Sequence, residues 1–162
     1  MERVFLLQRV DVFSDTPSHH LARIALLAKE VEADAGALLL RGTEKADAMY
    51  IVIDGELRGE RPGRSTISVG AREAVGALAI LDDAPIGLDV RVGRKSRLLR
   101  LTRRDLRDLL QDHPDLAVSL LRGMAARLRW LVELAARDAV PDSHPVSAPL
   151  TDRSFEQQAP PS

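Results

Sequence analysis

The chain contains no cysteine, which excludes a disulfide framework and any Cys-based zinc site. Aromatic residues make up only 3%, so the core must be built from Leu, Val, Ile and Ala. A net charge of −1 supplies no global attraction to nucleic acid or to a membrane surface. Among the 23 basic residues only Lys29, Lys45 and Lys95 are lysine, a bias that reads as codon composition. No apolar run approaches the ~20 residues of a membrane span. The opening MERVFLLQRV alternates charged with apolar residues and lacks the apolar core of a secretion signal. G-x-S-x-G, H-E-x-x-H, Walker A and G-x-G-x-x-G patterns are all missing, so nothing supports catalysis. Together these absences lead to the expectation of a cytoplasmic, non-catalytic protein that holds no metal and does not enter the membrane.

What is present is a 162-residue chain with 45% apolar residues, enough for one domain with a substantial core. Residues 4–12 form a short amphipathic segment with Phe5, Leu6, Leu7 and Val10 on one side. Thr16-Pro17 reads as a helix start, hydroxyl cap then proline, and Leu21, Ile24, Ala25 and Ala28 extend that helix over 17–30. His19 and His20 in its first turn read as solvated surface residues, since no carboxylate or Cys accompanies them at ligand spacing. Gly36 and Gly42 then bracket a short strand over 37–41. Residues 48–54, AMYIVID, are rich in strand formers. Asp54-Gly55 has the composition of a tight hairpin turn, with 56–60 as the returning strand. A turn at 61–64, a strand at 65–69 and a loop at 70–73 follow. Short, Gly-punctuated strands in this number predict an antiparallel barrel or sandwich.

The organising stretch is VGALAILDDAPIGLDVRV, residues 75–92. It is anchored by Gly76, apolar through 81, turned at 82–85 and extended afterwards. Asp82 and Asp83 read as turn caps rather than as a metal site. Residues 91–107 carry eight basic groups against one acid; with no interleaved aromatic, they read as outward-facing residues on an exposed edge strand. After a strand at 97–101, Thr102 caps a short helix through Leu106, Leu109 and Leu110. A long helix from Pro114 to about residue 136 follows, in which Ala117, Leu121, Met124, Leu128, Leu131 and Ala135 recur at 4-3-4-3-4 spacing. That heptad seam predicts packing on the domain, pairing with a second copy, or both. The last residues, 138–162, are rich in Pro, Ser, Asp and Gln and are expected to form a disordered tail after a domain over 1–137.

This order of blocks resembles the cyclic-nucleotide-binding domain family across residues 5–135. The blocks are the segment from Phe13 to Leu21, Gly36-Ala37-Leu38 through Gly42, Met49-Tyr50-Ile51-Val52-Ile53-Asp54-Gly55, Gly70 to Ala79, and the helices from Leu98 to Leu128. The resemblance implies a mainly β fold with flanking helices: an antiparallel β-roll (a double-stranded jelly roll) followed by a short and a long C-terminal helix. It also implies a phosphate-binding cassette of the form F-G-E-(L/M)-A-L, a variable turn, then P-R-(S/T)-A. Its Glu accepts from the ribose 2′-hydroxyl, and its Arg pairs with the cyclic phosphate. Gly76, Leu78, Ala79 and Pro85 match this form. Ala77 stands in place of the Glu, Ile86 in place of the Arg and Gly87 in place of the Ser or Thr, with Leu88 following.

The expected pocket is therefore degenerate, formed by residues 76–79 and 85–88, and binds cyclic nucleotide weakly or not at all. Backbone amides near Gly87 and Leu88 remain to hold a phosphate, and Arg72 and Arg91 are candidate replacements for the missing charge. The expected partner is a second copy docked through Leu121, Met124, Leu128 and Leu131, and a small anionic nucleotide is the expected ligand if there is one. A DNA-binding helix-turn-helix would need roughly 60 further residues after the long helix, so DNA binding is not expected of this chain alone. Three functions remain open: ligand sensor, interaction module without ligand control, and sensor half of a transcription regulator.

Overall fold

A computed structural model describes residues 2–82 and 84–138. The expected tail from residue 139 onward lies outside the described residues, as does Asp83. Four helices and six strands alternate as α1 (Glu2–Gln8), a 3-10 turn (Asp11–Phe13), α2 (Ser18–Leu27), β1 (Lys29–Ala33), β2 (Leu38–Leu40), β3 (Ala48–Glu60), β4 (Ile67–Val69), β5 (Ala74–Val75), β6 (Asp89–Thr102), α3 (Arg103–Asp112) and α4 (Pro114–Asp138).

The fold is organised by β3 and β6, which pair antiparallel along nearly their whole length, from Ala48↔Thr102 to Glu60↔Asp89. In one half the pair is flanked by β1 on β6 and β5 on β3. In the other half it is flanked by β2 on β6 and β4 on β3. Each half is thus a four-stranded antiparallel layer, and the two share their central strands, which is the expected β-roll. Leu57, Val90, Val92, Leu98, Leu99 and Leu101 are buried with Leu7, Phe13, Leu21 and Ile24 from the N-terminal helices, giving the aliphatic core that the composition requires.

Where the halves meet, the structure corrects the expectation of a hairpin at Asp54-Gly55. β3 continues through both residues, with register shifts between Val52 and Leu57. Gly55 has φ +117, and a Cβ there would stand 2.0 Å from Ser96 Oγ. The buried Ser96 hydroxyl accepts from the Glu56 amide at 3.0 Å and donates to the Arg94 carbonyl at 2.7 Å. The glycine makes a bulge that bends the strand and lets it serve both layers.

Three further expectations change. α2 begins at Ser18 without a side-chain cap, and the Thr16 hydroxyl is buried without a partner among the described residues. The helix ends at Leu27, because residues 29–33 are drawn into β1 by pairing with β6. The basic run is not an edge: β6 has neighbours on both sides, and its cations meet acids on adjacent strands or, for Asp47, just before one. Arg97 pairs with Glu30 at 2.7 Å, Arg100 with Asp47 at 3.0 Å, Lys95 with Glu32 at 3.7 Å and Arg94 with Asp54 at 3.8 Å. Such cross-strand pairs neutralise the face.

His20 is not solvated. It is 4% exposed, with Nε2 at 3.4 Å from Asp115 Oδ2 in the first turn of α4. His19 stacks on it with ring centroids 4.0 Å apart. His19, His20 and Asp115 bring ligand atoms within 4.8 Å of one another. Arg23 and His113 act electrostatically on the same imidazole, and the Arg23 guanidinium opposes a cation there.

Candidate functional site

The segment from Gly76 to Asp82 is a helical turn, closed by Ile80 N–H to Gly76 O at 3.0 Å and Asp82 N–H to Leu78 O at 3.3 Å. Gly76 makes it possible: its φ is +82, and a Cβ would stand 3.0 Å from the Ala48 carbonyl. Asp82 ends the turn by accepting from the Ala84 amide at 3.1 Å, as a turn cap should. Arg103, the first residue of α3, holds the turn from behind, donating to the carbonyls of Ala46, Ala79 and Asp82. Its capping neighbour Thr102 accepts from the Asp105 amide at 3.0 Å, as expected.

After Pro85 the chain is closed by the loop that follows β2. Ile86 donates its amide to Glu44 O at 3.3 Å and Gly87 donates to Gly42 O at 2.9 Å. Gly42 in turn donates to Asp89 Oδ1 at 2.7 Å, and a Cβ on Gly42 would stand 2.9 Å from the Leu88 backbone. Arg61, at the far end of β3, lays its Nε on the Gly87 carbonyl at 2.7 Å. The amides of Ile86 and Gly87 are thus taken up inside the protein. A phosphate here would have to displace a backbone bond.

Facing the turn is α4. Its Leu116 and Leu120 join the core, Gly123 faces Val12 and Asp15, and Arg127 anchors it to Asp11 of the 3-10 turn at 2.7 Å. Between α4 and the turn lies an open groove of about 1090 Å³. Its walls bring together most residues singled out in the sequence: Arg72, Gly76, Ala77, Leu78, Ala79, Pro85, Ile86 and Leu88 on one side, and Leu121, Met124, Leu128 and Leu131 on the other. The pocket and the heptad seam, read separately in the sequence, are two walls of one groove. Gly87 and Arg91 are not among its lining residues; Arg91 pairs with Glu60 at 3.7 Å.

The charges of the groove are few. Asp11 is paired with Arg127, Glu73 accepts from the Gly70 amide at 2.6 Å, and Asp82 is engaged in its turn. Arg9 stands over the Phe5 ring at 5.0 Å. Arg72 differs from all of these. It has φ +71, unusual for a side chain with a Cβ, and no partner for its guanidinium among the described residues.

The seam has a second aspect. Leu121, Leu128 and Val132 are 64%, 63% and 60% exposed, pointing away from the face that holds Leu116 and Leu120. Arg61, Arg103 and Arg9 contribute to the region without having been singled out. The partners of Arg61 and Arg103 are backbone carbonyls from elsewhere in the chain, which no local pattern signals; Arg9 lies four residues after its ring, Phe5.

A model of the cyclic nucleotide-binding domain matches residues 30–113. The N-terminal domain of a transcriptional regulator from Streptomyces coelicolor has a TM-score of 0.68 and 29% identity, covering 88% of this chain and 98% of that one. The regulatory domain of Toxoplasma gondii PKA, solved with cAMP, has a TM-score of 0.60 at 24% identity, covering 68% of this chain and 44% of that one. Among curated proteins, lysophospholipase nte1 of Aspergillus fumigatus is 30% identical over 118 residues, 70% of this chain. An uncharacterized NTE family protein of Mycobacterium bovis is 27% identical over 124 residues, 76% of this chain. The chain spans 8% of the length of the first and 21% of the second. Among the described residues no helix is long and apolar enough to cross a membrane.

Proposed function

This chain belongs to the cyclic nucleotide-binding domain family, and we propose that it is a cytoplasmic, non-catalytic regulatory module in which cyclic nucleotide binding is weak or lost. The observation that carries this reading is the pair Ala77 and Ile86. Both line the groove, at the positions where the family resemblance expects the ribose acceptor and the phosphate's arginine. The occupied amides of Ile86 and Gly87 add to it. Each lost charge-assisted hydrogen bond is worth roughly 1.5–3 kcal/mol, so losing two weakens binding roughly 10²–10⁴-fold.

The test is equilibrium dialysis of labelled cyclic AMP against the wild type and the double variant Ala77→Glu with Ile86→Arg. The double variant should gain at least about tenfold, because both restored charges act on one ligand pose. Equal binding by the two proteins would remove the pair from the account.

A second role is supported by the outward row Leu121, Leu128 and Val132 on α4. A face this apolar at heptad spacing suits pairing with a second copy in a parallel coiled-coil contact. The module would then hold two chains together. If the chain is a piece of a longer protein, it would also set the spacing of whatever follows α4, as in the sensor half of a transcription regulator.

A further inference from the structure

We infer that the groove between the 76–82 turn and α4 accepts a single-chain amphiphile, an acyl chain with one carboxylate at its end. This rests on the reading above that the cyclic nucleotide is not its ligand. The walls are aliphatic from both sides: Ala77, Leu78 and Ile86 face Met124 and Leu131. A purine or ribose would leave its hydrogen-bonding groups unanswered against such walls, whereas a hydrocarbon chain loses nothing there.

Charge then selects the end group. The groove's acids Asp11, Glu73 and Asp82 are each engaged with a partner of this chain. Of its cations, Arg127 is paired and Arg9 is over Phe5. Arg72 alone has no partner among the described residues, and it is held in a left-handed backbone conformation where a glycine would be relaxed. An unpaired guanidinium beside an apolar groove fits a carboxylate whose remainder is hydrocarbon. Leu121 and Leu128 stand at the rim of the groove: they line it and are also 64% and 63% exposed.

Calorimetric titration of the full chain with octanoate, decanoate and dodecanoate below their micelle concentrations tests this, with 1-dodecanol and cyclic AMP as comparison ligands. One carboxylate per chain is expected, with affinity rising about fourfold for each added methylene. Arg72→Gln should weaken dodecanoate at least about tenfold and erase its advantage over 1-dodecanol. Met124→Glu, at a half-buried position that leaves the roll intact, should abolish dodecanoate binding. Equal affinity for 1-dodecanol and dodecanoate in the wild type would overturn the assignment of the charged end. Undiminished binding in Met124→Glu would place the chain elsewhere and overturn the groove. No binding of any carboxylate, with cyclic AMP also weak, would overturn the amphiphile while leaving the degenerate-pocket reading standing. Tight cyclic AMP binding would overturn both.

Discussion

The amide of Gly87 donates to the carbonyl of Gly42 at 2.9 Å. Two loops far apart in sequence are thereby locked together at the point where the family resemblance expects an anion cradle. The closeness depends on Gly42 having no side chain: a Cβ would come within 2.9 Å of both the nitrogen and the carbonyl carbon of Leu88. Gly42→Ala should therefore push the loops apart and cost about 1–3 kcal/mol, read as a lower urea midpoint with unchanged m-value. An unaltered midpoint would show that the contact relaxes freely.

Arg72 presents stability and function in opposition. At φ +71 a residue with a Cβ is strained by about 1 kcal/mol relative to glycine. Arg72→Gly should raise stability by about 0.5–1 kcal/mol, offset in part by the extra freedom glycine gives the unfolded chain. The same variant should lose the groove's free cation. A destabilised Arg72→Gly would mean that the side chain is held by a contact that strengthens the fold.

His20 makes stability sensitive to acid. Burial pushes its pKa below the usual 6.5, with His19, Arg23 and His113 adding repulsion and Asp115 opposing them. Its Nδ1 is buried without a partner among the described residues, so a proton added there gains no acceptor. In the unfolded chain the imidazole takes up its proton near pH 6.5, and in the folded chain only at lower pH. Stability is therefore fully present above pH 6.5 and falls as pH drops toward the folded value, by at most about 1.4 kcal/mol per pH unit. Melting at pH 7.5 and 5.5 should show a larger loss for the wild type than for His20→Gln. Equal losses would remove His20 from the acid response.

Leu128 is mostly exposed, so a charge there costs the single chain little. Buried unpaired in a helix pair, it would cost several kcal/mol. Light scattering at high micromolar concentration should report a dimer for the wild type and a folded monomer for Leu128→Glu. A monomeric wild type would leave the outward leucines without the proposed role.

The parts of the fold set by local chemistry were legible in advance. The strand over 48–54, the cap at Thr102 and the long helix from Pro114 follow from β-branched runs, a hydroxyl before a helix and heptad spacing. The errors came where distant residues decide. Asp54-Gly55 suits a hairpin turn and a bulge equally; pairing with β6 and the buried Ser96 hydroxyl select the bulge. His20 looked solvated because Asp115 lies 95 residues further along the chain. The seam's period was visible, but period alone does not tell that Leu121, Met124, Leu128 and Leu131 all line one groove, with Leu121 and Leu128 still 64% and 63% exposed. Arg61 and Arg103 carried no signal, since what they bind is backbone.

In the function proposed above, Ala77 and Ile86 deprive a preserved fold of its ligand. Calorimetric titration of the wild-type chain with cyclic AMP and cyclic GMP tests it most directly. Dissociation constants weaker than about 100 μM are expected for both, less than ~5.5 kcal/mol of binding free energy. A constant of a few micromolar or tighter for either nucleotide would contradict it.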